Sequence, residues 1–490
     1  MPATQLPITG GLYINRSKPI SNQKCQNLYV HVNEGGGLAN ESLYGTPGSN
    51  LLATSGVNQE ANRGSWEMNK IPYFVNGDTL FRLTRTVSAQ GVESFSLDSL
   101  GTIAGSGRVS MANNETQLCI VVPGTISTAY IWNEGTSTFT EITGVTNFKA
   151  NGEPQHVVYI DNFFLFTTDT KKFIISNLNN GLLYNALDFG SAEADPDEIV
   201  APIVINNIPY IAGSKTFEPF RNAAAQTGAG FPFIRIDGGI INIGVFSAFS
   251  LVRASGTFFF IGGGKNEEPS VYQFSGANSF PVSNDGIDEL LGELTEEQLS
   301  NVAGWSYSQN KQRFVGFILP TTTIVYNLTN KKWHERKSFD IVDGVATEFR
   351  HRVNSVVKAY GRILVGDSID GRVGEMKLDI FTEYGQNIIR DVSTLPFSNV
   401  GGIIKVSRIE LVMESGVGNA DDPDPTIWMR RSLDGKTFTT ARTRKIGKAG
   451  EFKKRQMWRR NGKAEQFELF RFTTSAKVKI VIIKLEGVLK

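Results

Sequence analysis

The sequence predicts an all-β chain: a β-propeller of six or seven blades, a C-terminal antiparallel β-domain and one short helical insertion. Three observations carry that expectation. Between about residues 71 and 375 one unit keeps returning, an apolar β-rich run, a tight Gly/Asn/Asp turn, a second run and a looser polar stretch. The units begin roughly 40 to 55 residues apart, the span of a four-stranded blade with uneven loops. After about residue 393 the texture changes, and residues 430–490 hold 18 Lys and Arg against five Asp and Glu. A hairpin cannot bury its own apolar face, so the units must stack, and a ring leaves only short, protected edges. A large β-sandwich or irregular barrel would show the same strand periodicity.

Residues 1–65 form a turn-rich N-terminal arm, with Gly35, Gly36, Gly37 and the Pro47, Gly48 turn, in which only 27–32 reads as a strand. The arm is expected to dock on the body or to close the first blade. The propeller is placed at 66–393. Its strand pairs are 71–83 about Asn76, Gly77 and Asp78, 118–139 broken at Pro123 and turned near Asn133 to Gly135, and 157–176 turned at Asp161, Asn162 and Asp169. Pairs at 203–220 about Asn206 and Asn207, 257–274 with a Gly262, Gly263, Gly264 turn, 313–333 and 355–376 complete it. Within 285–302, Ile287, Leu290, Leu291 and Leu294 recur at helical spacing, and Thr295 with Gln298 makes a capping box for a second short helix. The C-terminal β-domain, 394–490, is read as strands at 406–414, 426–431, 437–445, 466–474 and 477–485, the first alternating as a half-buried strand does.

Fifty glycines and 32 phenylalanines beside 20% charged residues suit a soluble, turn-rich all-β protein. No run of 18 apolar residues predicts membrane insertion, and residues 1–11 lack the basic start and apolar core of a signal peptide, so synthesis in a cytoplasm is expected. Cys25 and Cys119 stand at no metal-like spacing, and His31, His156, His334 and His351 lie far apart. No nucleophile elbow, phosphate loop or dinucleotide fingerprint is present. The reading is a non-enzyme with no cofactor, metal or catalytic residue.

Three motifs remain. Asp367, Ser368, Ile369, Asp370, Gly371 starts like a calcium loop, but Leu378 stands where the terminal Glu is required, so a polar turn is expected. Ser432 to Phe438 resembles the Asp-box hairpin of sialidase propellers, one residue short and occurring once; as an Asp-Gly hairpin it is already explained. It keeps open the alternative of a receptor- or glycan-binding propeller. The third is the basic run 442–460, with Phe452 and Trp458 interleaved. Lys453, Lys454, Arg455, Trp458, Arg459 and Arg460 are candidates either for duplex DNA, where neutralised phosphates release counterions, or for a ring interface, where Arg pairs bidentately with carboxylates.

Gly105, Gly107 and Arg108, within the string Ala104 to Ala112, mark a structural motif. With it come Met1, Pro2, Gln5, Leu6 and Pro7, the Pro47, Gly48 turn, Arg63, Gly64, the 294–299 helix start, Leu319, Pro320, Gly366, Asp367, Gly371, Asp434, Gly435 and the 458–460 stretch. In that order these strings resemble the tail accessory, or packaged-DNA stabilisation, proteins of short-tailed bacteriophages. The resemblance implies a structural virion protein of the tail nozzle, made in the host cytoplasm. It would assemble as a homohexamer beneath the portal adaptor ring, extend the DNA channel and retain packaged DNA. Implied partners are the adaptor ring, a tailspike or tail fibre, a tail needle or plug, and the double-stranded DNA passing through.

Overall fold

The computed structural model describes residues 3–35, 37–56, 61–193, 195, 197–223, 230–276, 278–342, 344–398 and 402–489. Met1, Pro2 and Gly36, singled out above, lie outside them. The repeated unit proves to be a propeller blade. Blade 1 is Asn62–Met68, Ile71–Asn76, Thr79–Val87 and Glu93–Thr102, and blade 2 runs from Ser110–Asn113 to Thr138–Glu141. Blade 3 runs from Pro154–Ile160 to Asn180–Ser191 and blade 4 from Ile199–Ile205 to Phe233–Arg235. Blade 5 has a split first strand, Gly244–Val245 and Val252–Ala254, both pairing with Thr257–Gly263. Blade 6 starts at Ala303–Gln309 and blade 7 at Val353–Ala359. Six or seven blades were expected, and the ring has seven.

Local chemistry sets the hairpins. In six blades the first two strands are joined by two residues that both have positive φ: Asn69-Lys70, Asp161-Asn162, Asn206-Asn207, Ser255-Gly256, Asn310-Lys311 and Tyr360-Gly361. This conformation matches strand twist, and Asn and Gly adopt it at least cost. Asn207 donates to the Asp161 carboxylate at 2.8 Å, so one blade's turn also fastens to the next. The middle strands, such as Gln117–Val122, are buried throughout because blades cover both faces. Separate apolar cores then fill the spaces between neighbours, with Tyr73, Leu118 and Trp132 between blades 1 and 2, and Phe74, Leu83, Leu364 and Val373 between blades 1 and 7.

The ring closes on its seventh blade rather than its first. The fourth strand of blade 7 is Gly48–Thr54, which pairs antiparallel with Arg372–Lys377 and covers an edge that would otherwise stay open. Gly262 and Gly263 belong to a strand, not to a turn. A Cβ on Gly262 would lie 2.0 Å from the Gly244 carbonyl, so the glycine admits a close strand approach. The helices are Asp285–Gly292 and Glu296–Ser300, the second with the expected Thr295/Gln298 capping box, and Ile287, Leu291 and Leu299 are buried.

The C-terminal β-domain is two packed sheets. One runs Gln456–Arg459, Ile404–Met413, Val481–Leu489, Glu41–Gly45 and Leu28–Val32, with Thr4–Leu6 added beside Val481–Leu489. The N-terminal segment thus supplies strands to this domain as well as to blade 7. The other sheet runs Arg390–Ser393, Phe467–Thr474, Thr426–Ser432 and Arg442–Lys445. The strand read as 437–445 is confined to Arg442–Lys445, and that read as 477–485 is shifted to Val481–Leu489.

Propeller and sandwich share one core. Phe259, Phe317, Ile324 and Trp333 of blades 5 and 6 pack in the same cluster as Ile409, Trp458, Phe470 and Leu485. Backbone pairing crosses the same seam, since Gln26 bridges Glu335 of blade 6 and Asp391 of the sandwich. A polar knot fixes it. The buried Asp391 carboxylate accepts from Arg471 Nε at 2.8 and 2.9 Å and from Thr473 Oγ1 at 3.1 Å, with Lys24 Nζ at 3.4 Å. Burial alone would raise the Asp391 pKa, but Arg471, Lys24 and Thr473 outweigh it and hold it below the ordinary range.

Candidate functional site

The basic run folds into the free edges of the two sandwich sheets, and its residues divide by what they touch. Trp458 is fully buried: its indole donates to the Arg442 carbonyl at 2.6 Å and its ring packs against Phe472 at 5.5 Å. It is therefore a core residue, not a contact for any partner. Arg442 donates to the Arg459 carbonyl at 2.6 Å and to Asn461 at 2.7 Å, and Arg444 donates to the Met457 carbonyl at 2.7 Å, its guanidinium 5.9 Å from the Trp458 ring centroid. These two arginines bind one sheet edge to the other, a local use of charge that protects exposed strands.

Arg455 makes the bidentate carboxylate pair foreseen for it, but with Glu410 of the same chain, at 2.5 and 2.6 Å, which raises its pKa. Lys454 lies 3.6 Å from Glu451, and Lys445 pairs with Asp424. The side chains of Lys448, Lys453, Arg459 and Arg460 are exposed and have no hydrogen-bond or ion-pair partner among the described residues. These four uncommitted cations are spread along the sandwich edge, Arg459 and Arg460 beside Arg408 and Ser407 and Lys448 and the exposed Phe452 beside Gly416 and Gly418.

The second feature is a cavity of about 490 Å³ on the propeller axis, lined by the first strands of all seven blades, Ser65, Met111, His156, Ile203, Arg253, Trp305 and Asn354 among them. Its volume is that of a sphere roughly 10 Å across. Arg108 stands at one mouth, where its guanidinium donates to the backbone and side-chain oxygens of Asn354 at 3.0 and 2.5 Å. Gly105 adopts φ +82°, and Arg63 donates to the carbonyls of Gly107, Gly77, Ile103 and Ala104, so this loop is held from behind.

The remaining sequence candidates are structural. Asp367 pairs with Arg352 at 2.5 Å and caps the Ile369 amide at 2.8 Å, the polar turn expected of that segment. Asp434 accepts from the Lys436 and Thr437 amides and from the Thr437 hydroxyl, contacts that hold its carboxyl well below the usual range. The adjoining Gly435 carbonyl takes a hydrogen bond from Asn22 at 2.7 Å, so the Asp-box-like hairpin seats the N-terminal segment. Burial pulls His156 down to about 4 and pushes Cys25 up to about 12. Among the described residues no three His, Cys, Asp or Glu side chains are grouped as metal ligands.

Two residues of the channel mouth escaped sequence reading, Arg350 and Asn354. Neither lies in a recognisable motif; only Arg108 carried a signal. Two family models cover almost the whole chain: bacteriophage P22 Gp10, beta-propeller, matches residues 4–381, and bacteriophage P22 Gp10, beta-sandwich, matches 389–487. Among curated proteins, the tail hub protein gp10 of Salmonella phage P22 is 21% identical over 403 residues, 78% of this chain and 80% of that protein. Among solved structures, the computationally designed Ika8 protein and the WD40 beta propeller domain of Doa1 cover 67% of this chain and 99% and 97% of their own. Each is 13% identical, with TM-scores of 0.36 and 0.37, likenesses too slight to carry weight.

Proposed function

Because this chain belongs to the bacteriophage P22 Gp10 family, we propose that it is a structural protein of the virion tail that assembles as a hexameric ring beneath the portal adaptor, extends the DNA channel and retains packaged DNA. The observation that carries this reading is the continuous propeller and sandwich body matched from end to end by the two family models, with a tail hub protein as relative. The role is mechanical rather than catalytic. A single rigid body with a shared core transmits load between rings better than two domains on a linker. In this reading DNA travels between copies of the chain, along the axis of the ring they form, and not through the small cavity at the centre of each propeller. A tailspike or fibre and a needle or plug complete the set of partners, and assembly takes place in the host cytoplasm.

The basic edge of the sandwich is assigned to an acidic protein neighbour. Packaged DNA must be held and later released quickly, and a channel wall carrying the uncommitted cations of six copies would brake it, since each phosphate contact adds salt-sensitive affinity. Changing Lys453, Arg459 and Arg460 together to Ser should leave thermal stability nearly unchanged, as surface substitutions do, and should weaken binding to the adaptor ring in sedimentation or interferometry. Intact adaptor binding combined with lost affinity for duplex DNA would place these residues on the channel instead.

A further inference from the structure

We propose that the mouth of the propeller channel is a binding site for a small oxyanion, a phosphate or carboxylate group held between Arg108 and Arg350. Both guanidiniums reach one oxygen: Asn354 Oδ1 accepts from Arg108 at 2.5 Å and from Arg350 at 3.4 Å. A neutral amide oxygen shared by two cations is a weak substitute for an anion, because a charged acceptor roughly doubles the strength of each hydrogen bond. Arg350 Nη1 is buried and has no hydrogen-bond partner among the described residues, so this guanidinium is not fully satisfied by the protein.

No carboxylate among the described residues fills the need. The Arg108 charge is disfavoured first by burial and then by the neighbouring Arg350 charge, with no acidic residue offsetting either. The carboxylate felt by Arg350 is Asp367. That group is already committed, to Arg352 at 2.5 Å and to the Ile369 amide at 2.8 Å. Beside the two arginines opens a cavity of about 700 Å³, ample for one acid group, also lined by Thr295 and Gln298. Glu297 lines it too but pairs with neither arginine. The cradle is built in advance, since Arg63 binds four carbonyls around the loop that carries Arg108. Such preorganisation removes much of the ordering cost of binding.

Calorimetric titration of the full chain with sodium phosphate at fixed ionic strength should give saturable binding that sodium chloride does not reproduce. Arg350→Gln should weaken it by roughly ten- to hundredfold, the effect of one charge-assisted hydrogen bond in a half-buried site, and Arg350→Lys should recover part of the loss. A parallel titration with acetate tells the two acid groups apart: the tighter ligand identifies a phosphate or a carboxylate site. Heats with phosphate and acetate no larger than with chloride would overturn the proposal without any variant. So would unchanged affinity in a folded Arg350→Gln protein.

Discussion

Asp391→Ala should destabilise the protein by about 3–5 kcal/mol, the usual cost of leaving a buried charge without its partner. Asp391 lies where the sandwich, the N-terminal segment and blade 6 meet, and its carboxylate is the common acceptor for Arg471, Thr473 and Lys24. The variant strands the Arg471 guanidinium in a half-buried site and removes the carboxylate opposite the Gln26 bridge strand. Chemical denaturation should show the loss as a lower midpoint, and a split into two transitions would show that the seam had opened between propeller and sandwich. The acid limb should change as well. The folded-state pKa lies below the ordinary aspartate value, so this stabilisation is complete above about pH 4 and is lost as the pH falls through the folded-state pKa. Asp391→Ala should therefore flatten the decline in stability below about pH 4, and an acid limb identical to that of the unmodified chain would show that the knot carries no net stabilisation.

Trp458→Ala should cost a similar amount, about 3–5 kcal/mol, through loss of its apolar contacts and the cavity left behind. Its ring sits between Phe472 and the Arg444 guanidinium, and its N–H satisfies the Arg442 carbonyl, so the free edges of both sheets depend on it. A thermal melt distinguishes the two uses of this segment. Trp458→Ala should lower the melting temperature markedly, whereas the Lys453, Arg459, Arg460 triple change should barely move it. A melting temperature unaltered in Trp458→Ala would contradict the burial on which that division rests.

The hairpins were legible because their information is local. An Asn-Asn pair between two apolar runs specifies a turn with positive φ at both positions, and Asn206-Asn207 is one. The second helix was equally readable from Thr295 and Gln298 alone. Ring closure was not, because the pairing of Gly48–Thr54 with Arg372–Lys377 joins segments more than three hundred residues apart, and its alternation is interrupted. Val406 and Ile409 illustrate another limit: a register shift between Val406 and Arg408 lets both face the core, although strict period-two spacing sets them on opposite faces. The candidate site was half readable. Charge density marked the basic run as a candidate, but density does not say which cations are spent internally; Arg455 with Glu410 is such a pair. For Trp458 a usable signal existed, since Gln456 and Trp458 are inward and Arg459 outward along one short strand.

The central claim is that the fused propeller and sandwich acts as a ring-forming structural part of the tail. Electron microscopy of the purified chain mixed with its cognate portal and adaptor measures this most directly. Six copies in a closed ring coaxial with the adaptor, with the basic edge of each sandwich at a protein contact, is the predicted image. Particles in which the chain stays monomeric beside an unoccupied adaptor ring would contradict it.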